Sequence, residues 1–295
     1  MPCSFSCRWR VVLKTWDRFV LPLPFTRGVI IWGEPIYVAR DADAAKIAEA
    51  RLSIEAALTS VTQQADAIMG VETVYGRNAG NWRVIDALAT LAFDYPKRAP
   101  FFRSELENYL LFARDHGIDV FSVRGSYAGA IGIPQFMPSS WRKWAVDFDG
   151  DGRIDLRESM IDSIGSVASF LTGHGWIAGA PIAFRASVDG EAYVELLARD
   201  IRPSLPVAEF ARYGVLCAAL AQAGLAPDTL AALVELATPD KPSQFWVGLD
   251  NFYVITRYNR SSFYAMSVIE LAAAIRARRA RLSTPNQAGK TPVDR

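Results

Sequence analysis

Gly70-Val-Glu-Thr-Val-Tyr-Gly76 closes an amphipathic helix that the sequence predicts over residues 44–75. Before it, apolar residues recur at spacings of three, four and seven: Ile47, Ile54, Leu58, Val61 and Ile68, with Ala65 filling a gap. Glu72 follows Ile68 by four residues, so its side chain is predicted within roughly 40° of the centre of this buried stripe. Burial disfavours a charged carboxyl, so the pKa of Glu72 should rise towards the range of a general acid. The alternative interpretation of one inward glutamate is a helix cap or half of an ion pair.

The composition is that of a folded protein with a large core. The chain has 295 residues, of which 51% are hydrophobic and 21% charged, which argues against disorder. Its net charge of +1 and the lack of a basic stripe give no indication of nucleic-acid binding. Three cysteines do not make a disulfide framework, and two histidines argue against zinc. Eight tryptophans fit either a carbohydrate or peptide groove or a large core.

Two more helices are predicted after Glu72. The first has Val84, Ile85, Leu88 and Leu91 on one face and stops at Tyr95-Pro96, because proline cannot continue a helix. The second covers residues 99–116, with Gly117 as its C-cap. Its predicted inward side chains are Phe102, Leu106, Tyr109, Leu110 and Ala113.

A loop rich in small residues follows, Gly125-Ser-Tyr-Ala-Gly-Ala-Ile-Gly-Ile-Pro-Gln-Phe-Met-Pro138. Its glycines and prolines argue against one long helix and allow the backbone to approach a ligand closely. Ser126 and Gln135 would supply hydrogen bonds. The alternative interpretation is a tight connection between two helices.

The most specific local motif is Asp147-Phe-Asp-Gly-Asp-Gly-Arg-Ile-Asp-Leu-Arg-Glu158, which matches the EF-hand loop at each required position. Ca²⁺ prefers six to eight hard oxygen ligands. The candidate ligands are Asp147, Asp149, Asp151, the Arg153 carbonyl, Asp155 and Glu158. Short helices are predicted over residues 139–146 and 161–171. The alternative interpretation is an acidic surface turn.

The rest of the chain is mixed in its secondary structure. We predict a helix over residues 207–223 that ends at Gly224, a β-hairpin of residues 231–236 and 244–248, and a last helix over residues 263–279. The polar segment 283–295 is predicted to be a disordered tail.

Together these stretches resemble the lytic murein transglycosylase B family, bacterial enzymes that cut the glycan strands of peptidoglycan. The resemblance extends over residues 68–275. Besides the three motifs above it rests on residues 86–96, on Gly173-His-Gly-Trp176 and on Ile255-Thr-Arg-Tyr-Asn259.

The resemblance implies a mainly α (α+β) protein: a lysozyme-like α-domain with an EF-hand-like calcium loop and a small β-hairpin. It implies that Glu72 is the catalytic acid/base and that Ser126 and Gln135 lie in the active site. Groove-lining positions would be Tyr95, Lys97, Arg98, Tyr258, Asn259 and Tyr264. In calcium-bound members the last ligand matches Asp162, so Glu158 and Asp162 compete for that role. Structural Ca²⁺ is expected, and no organic cofactor.

The implied reaction explains why one carboxyl can suffice. Ordinary glycosidases use two. In a lytic transglycosylase the C6 hydroxyl of N-acetylmuramic acid attacks its own anomeric carbon, and such an intramolecular nucleophile acts at an effective concentration of about 10⁵ M or more. Glu72 would protonate the leaving oxygen and then take the proton of that hydroxyl, giving a 1,6-anhydromuramyl end. Two alternatives remain: a hydrolytic muramidase, and a degenerate, non-catalytic peptidoglycan-binding protein. Were Glu72 not the acid, Glu105, Glu107 and Asp94 would be the candidates.

The chain is expected to divide into a divergent N-terminal segment (residues 1–43), a catalytic region (44–282) and the tail. No clean export signal or membrane span is found in residues 1–31. Because peptidoglycan lies outside the inner membrane, we nevertheless expect the periplasm or cell envelope, with a true start that differs from Met1. The expected partners are peptidoglycan glycan strands, with other cell-wall enzymes as candidates, no nucleic acid, and a monomeric state.

Overall fold

The computed structural model of the protein describes residues 43–238 and 241–283, and the backbone of four short strands nearer the N-terminus. Side chains are described in these two ranges except at residues 44, 54–61, 63, 221 and 279–283. The predicted tail beyond residue 283 and most of the predicted N-terminal segment lie outside the described residues.

Secondary structure follows the predicted order through most of the described chain. The helices are α1 (Ala44–Thr73), α2 (Val84–Asp94), α3 (Ala99–His116), α4 (Pro138–Trp144), α5 (Met160–Gly173), α6 (Val194–Leu197), α7 (Ala218–Gln222), α8 (Asp250–Tyr258) and α9 (Ser262–Ser283), with 3₁₀ turns at Pro96–Arg98 and Val207–Tyr213. The strands are β1 (Cys3–Cys7), β2 (Arg10–Val12), β3 (Val20–Pro22), β4 (Gly28–Trp32), β5 (Trp82–Arg83), β6 (Arg124–Gly125), β7 (Ala183–Val188), β8 (Leu205–Pro206), β9 (Val215–Leu216), β10 (Leu230–Leu236) and β11 (Gln244–Gly248).

The long helix α1 carries Glu72 near its C-terminal end. Asp43 caps its N-terminus by accepting a hydrogen bond of 2.8 Å from the Lys46 amide. Near its other end Ala65, Ala67, Ile68 and Met69 are fully buried, where α1 packs against α5 and α9. The prediction of an inward Ile47 is wrong, since this side chain is 56% exposed. Residues 45–49 and 51–53 are exposed, so the buried stripe does not extend to the start of the helix.

Helices α2 and α3 pack against each other and end as predicted. Tyr95-Pro96 stops α2, and Gly117 caps α3. Val84, Leu88, Phe102 and Tyr109 are buried, but the predicted inward Leu110 is 47% exposed. The reason is that Leu110 lies on the outer side of α3, where it lines an apolar surface groove with Leu106 and Phe93.

The predicted hairpin is confirmed as β10 and β11, which pair antiparallel with Val234 opposite Trp246. It is the centre of a five-stranded antiparallel sheet in the order β8-β10-β11-β7-β9. The helix predicted over residues 207–223 is wrong. Gly214, with φ of +72°, ends a 3₁₀ turn there, and the chain continues as β9 and then α7.

Two apolar cores hold these elements together. The larger joins the helices around Ile68, Leu88, Phe112, Ile131 and Phe252, and the smaller lies on the sheet around Phe210, Leu233 and Val247. Across the described part of the chain, no helix has the length and apolar character that crossing a membrane requires. The fold is the predicted mainly α arrangement with a small β sheet.

Candidate active site

Glu72 lies in the last turn of α1, and its side chain is partly buried. Burial raises the pKa of its carboxyl above the ordinary value, because a charged carboxylate loses hydration there. The Tyr264 hydroxyl opposes this shift by stabilising the charged form. That hydroxyl is buried and has no hydrogen bond of standard geometry within the described residues. It therefore faces the Glu72 carboxyl as a nearby donor, without a fully formed bond.

Two tyrosines from the α8–α9 region lie near this carboxyl and stack on each other. The rings of Tyr258 and Tyr264 are nearly parallel, with an interplanar angle of 7° and centroids 6.4 Å apart. Burial, followed by the negative charge of Glu72, raises the pKa of both phenols well above the usual value. Both tyrosines therefore remain neutral hydrogen-bond donors at physiological pH. The Tyr258 hydroxyl uses its proton to bond the Pro134 carbonyl in the glycine-rich loop.

The glycine-rich loop is bound directly to the end of α1. The Thr73 hydroxyl donates to the Ile133 carbonyl at 2.8 Å, and it accepts from the Gly76 amide at 2.9 Å. The Gln135 side-chain amide donates to the carbonyls of Ala79 (3.0 Å) and Gly132 (2.9 Å). These bonds place the loop beside Glu72, which a simple connection between helices would not require.

Backbone strain is concentrated at this contact. The three non-glycine residues with positive φ in the described chain are Val74, Tyr75 and Gln135, at +53°, +57° and +53°. A β-branched residue such as valine is an outlier in this region. Each such residue costs about 1–3 kcal/mol, and strain of this kind clusters at functional sites.

Ser126 is held by its own turn. Its hydroxyl oxygen accepts from the amides of Ala128 (3.3 Å) and Ala130 (3.0 Å). A hydroxyl that accepts two bonds still has its own proton to donate.

Gly80 permits the close approach of the segment after α1 to this loop. Its φ is +93°, and an added Cβ would lie 2.2 Å from the Gly125 carbonyl oxygen. We expect Gly80→Ala to cost about 2–5 kcal/mol of unfolding free energy, the sum of left-handed strain and overpacking. Gly179→Ala is the control, because Gly179 has φ of +77° but open space around it, and should cost only about 1–2 kcal/mol. Denaturant unfolding measures both, and equal losses would contradict the close approach.

The other predicted groove residues lie on exposed segments. Tyr95, Lys97, Arg98 and Asn259 are all exposed. The Arg98 guanidinium lies over the ring of Phe101, 4.6 Å from its centroid. Asn259 accepts a hydrogen bond from the Ser261 amide, 3.2 Å away, in the turn between α8 and α9.

The alternative acids have other positions. Glu105 is buried and accepts from both the amide (2.9 Å) and the hydroxyl (2.6 Å) of Ser139, so it caps the first turn of α4. Glu107 and Asp94 are exposed. Burial pushes the Glu72 carboxyl towards its neutral form, as a general acid requires.

The acidic loop brings together three carboxylates, from Asp147, Asp149 and Asp162, with ligand oxygens within 4.8 Å of one another. Asp162 is buried, and its carboxylate accepts from the amides of Phe148 (2.8 Å) and Asp155 (2.9 Å). Burial raises the pKa of Asp162, although these amide bonds act in the opposite direction.

The remaining candidate ligands lie around this cluster. Asp151, Arg153 and Glu158 are exposed and Asp155 is partly buried. Glu158 lies outside the three-carboxylate group. The geometry therefore favours Asp162 over Glu158 as the ligand that closes the loop.

Thr73 is the residue of this site that the sequence did not single out. It links the helix that carries Glu72 to the loop that carries Gln135. Its position directly after Glu72 at a helix end was the available signal, since threonine hydroxyls often bond neighbouring backbone there.

Residues 45–273 match the family model described as Transglycosylase SLT domain. The membrane-bound lytic murein transglycosylase B of Escherichia coli (strain K12) is 45% identical over 214 residues, which are 70% of this chain and 55% of that protein. The chain thus spans about half the length of this curated relative.

Solved structures of lytic transglycosylases are also similar to this chain. The soluble lytic transglycosylase SltB1 of Pseudomonas aeruginosa is 44% identical, with a TM-score of 0.69 over 79% of this chain and 77% of that one. The Escherichia coli lytic transglycosylase Slt35 in complex with calcium is 39% identical, with a TM-score of 0.67 over 79% and 72%. SltB3 of Pseudomonas aeruginosa in complex with NAG-anhNAM-pentapeptide is 30% identical, with a TM-score of 0.62 over 85% and 65%.

Proposed function

Because the chain belongs to the Transglycosylase SLT domain family, we propose that it is a peptidoglycan lytic transglycosylase, a carbon–oxygen lyase. It cleaves the β-1,4 bond between N-acetylmuramic acid and N-acetylglucosamine and leaves 1,6-anhydromuramyl ends during cell-wall remodelling or turnover. The observation that carries this proposal is the desolvated Glu72 carboxyl, which faces Tyr264 at the strained contact with the glycine-rich loop. A related protein binds a peptide-bearing sugar with an anhydro end, which fits the same chemistry.

In the first step Glu72 acts as general acid. Its raised pKa makes it hold its proton more tightly than an ordinary carboxyl does, and the proton passes to the glycosidic oxygen as the bond to the anomeric carbon breaks. The carboxylate that results gains stabilisation from the Tyr264 hydroxyl. The same carboxylate then takes the proton of the C6 hydroxyl as that oxygen bonds the anomeric carbon. Glu72 is thus protonated again at the end of the reaction, and no water is consumed.

The neighbouring side chains would orient the sugar. The Ser126 hydroxyl has a proton to donate, and Gln135 is held in place by two backbone carbonyls. Tyr258 fixes the loop through Pro134, and the Tyr264 hydroxyl faces Glu72 as a donor. The exposed Tyr95, Lys97, Arg98 and Asn259 would contact the glycan strand farther along the groove. Lys97 and Arg98 suit the carboxylates of the stem peptides, because they carry the opposite charge.

We also propose a structural Ca²⁺ in the acidic loop. Asp147, Asp149 and Asp162 would hold it, with Asp151, Asp155 and the Arg153 carbonyl as further oxygen donors. The hard carboxylate set fits this ion, and a relative has been solved with calcium. When bound, the ion supplies positive charge that offsets the repulsion among the carboxylates. It takes no part in bond cleavage.

The proposed substrate determines the proposed location. Peptidoglycan lies outside the cytoplasmic membrane, so an enzyme that cuts it works in the periplasm or elsewhere in the cell envelope. One relative carries the description membrane-bound.

The mass of the products tests the reaction. Purified protein is incubated with murein sacculi, and the released muropeptides are weighed by mass spectrometry. Products with anhydro ends support the proposal. Products with hydrated ends would identify the protein as a hydrolytic muramidase, in which water attacks in place of the C6 hydroxyl. The absence of products would identify it as a non-catalytic binding protein.

A further inference from the structure

Two aromatic side chains, one within the glycine-rich loop and one on the strand paired with it, are unusually exposed. Trp82 is 63% exposed and Tyr127 is 74% exposed. Tryptophan is highly buried on average, because its large apolar ring is costly to hydrate. Among the described residues, neither ring stacks on another aromatic ring or lies under a cation. The folded chain thus leaves two large apolar surfaces uncovered.

Both rings extend from the backbone segments that build the candidate site. Trp82 is the partner of Gly125 in the antiparallel pair of β5 and β6. Tyr127 follows Ser126 in a turn that closes with a 3.0 Å bond from the Gly129 amide to the Ser126 carbonyl. The segment that leads to Trp82 is bound by Gln135 through Ala79 and packs against Gly125 at Gly80. Trp82 and Tyr127 therefore lie on the same backbone segments as Ser126 and the Gln135 contact.

The chemistry of this surface suits a sugar ring. A pyranose has one relatively apolar face of C–H groups, while its hydroxyls point outward around the rim. An exposed aromatic ring can cover that face and leave the hydroxyls in water, so affinity is gained with little desolvation of polar groups. A glycan strand extends beyond the bond that is cut, and its next sugars must pass over the rim of the groove.

We propose that Trp82 and Tyr127 form an outer platform that binds a pyranose of the glycan strand beyond the two sugars at the cleaved bond. This inference rests on the proposed function, because it assumes that the strand reaches Glu72 past Ser126. The platform would make the enzyme prefer long strands over short ones without altering the chemical step.

Binding measured in the Glu72→Gln background tests the platform, because the ligand then stays intact. Peptide-free glycan strands from sacculi are separated by size into a short and a long pool, and the dissociation constant is measured for each by calorimetry. Trp82→Ala and Tyr127→Ala should each weaken binding of the long pool roughly five- to tenfold, and leave binding of the short pool nearly unchanged. Trp82→Phe should restore most of the loss.

The controls separate the platform from other causes. Leu216→Ala removes a side chain of similar exposure (58%) on β9, an edge strand of the five-stranded sheet, and should change neither pool. Equal weakening of both pools, or of neither, would overturn the platform. A loss confined to strands that carry stem peptides would also overturn it and assign the pair to the peptide.

The test distinguishes this inference from the proposed function. If the wild-type chain releases no anhydromuropeptides and the Glu72→Gln protein binds no glycan, the proposed function fails and the platform with it. If the wild-type chain cleaves sacculi but Trp82→Ala binds long strands normally, only the platform fails.

Discussion

Glu72→Gln is expected to lower the rate of anhydromuropeptide release by at least about 10²–10⁴-fold, the range that general acid catalysis supplies. Glutamine preserves the shape and the hydrogen-bonding reach of the side chain, but it cannot give up and retake a proton. The variant should still bind glycan strands, since the loop and the tyrosines around it are unchanged. Initial rates on sacculi, read by mass spectrometry, measure the loss.

Glu107→Gln is the matched control. Glu107 is exposed, so this variant should release product at the full wild-type rate. A Glu72→Gln protein that releases product at nearly the wild-type rate would refute the mechanism. The acid would then have to be Glu107 or Asp94, since Glu105 is committed to Ser139.

The same pair of proteins also reports on the pKa of Glu72. Burial raises that pKa in the folded state, so the folded chain holds this proton more tightly than the unfolded chain, where the pKa is about 4.3. The contribution to stability is fully present below the unfolded pKa and is lost as the pH rises through the folded pKa. Glu72→Gln should therefore have the same melting temperature as the wild type in acid and a higher one than the wild type towards neutral pH. Melting temperatures across that range measure it, and a difference that does not vary with pH would contradict the raised pKa.

Ca²⁺ is expected to raise the stability of the protein by about 2.7 kcal/mol at a hundredfold excess over its dissociation constant. At roughly 2–4 °C for each kcal/mol this is a shift of several degrees in melting temperature, which a chelator should reverse. The physical reason is the cluster of three carboxylates, whose mutual repulsion the ion removes. Thermal unfolding with Ca²⁺ and with chelator gives the increment for each variant.

Single amide substitutions identify the ligands. Asp149→Asn and Asp162→Asn should abolish the Ca²⁺-dependent increment, whereas Glu158→Gln should retain it. Asp162→Asn should in addition lower the melting temperature without Ca²⁺, because asparagine cannot accept all the backbone bonds that Asp162 accepts. Asp189→Asn, an exposed aspartate elsewhere, is the control. A melting temperature that is the same with Ca²⁺ and with chelator would refute the site.

The sequence alone determined the features that depend on near neighbours along the chain. Helical periodicity placed α1, and Pro96 and Gly117 marked the ends of α2 and α3. The β10–β11 hairpin and the motif around Glu72 were likewise readable, because spacing within a short window sets which side chains share a face. Cap and turn residues act within about one helical turn, so no tertiary partner is needed to find them.

The tertiary structure decided which of these faces are covered and by what. Ile47 and Leu110 have helical spacings typical of buried residues, yet they are exposed, because no element of the described fold covers them. Tyr264 reaches Glu72, and Thr73 reaches Ile133, across long stretches of chain. Asp162 joins Asp147 because the first turn of α5 packs against the acidic loop, where Asp162 accepts from the Phe148 amide, whereas Glu158, inside the motif itself, is exposed. Such pairings depend on how distant elements pack, and the free energy of packing is a property of the whole core rather than of any local pattern.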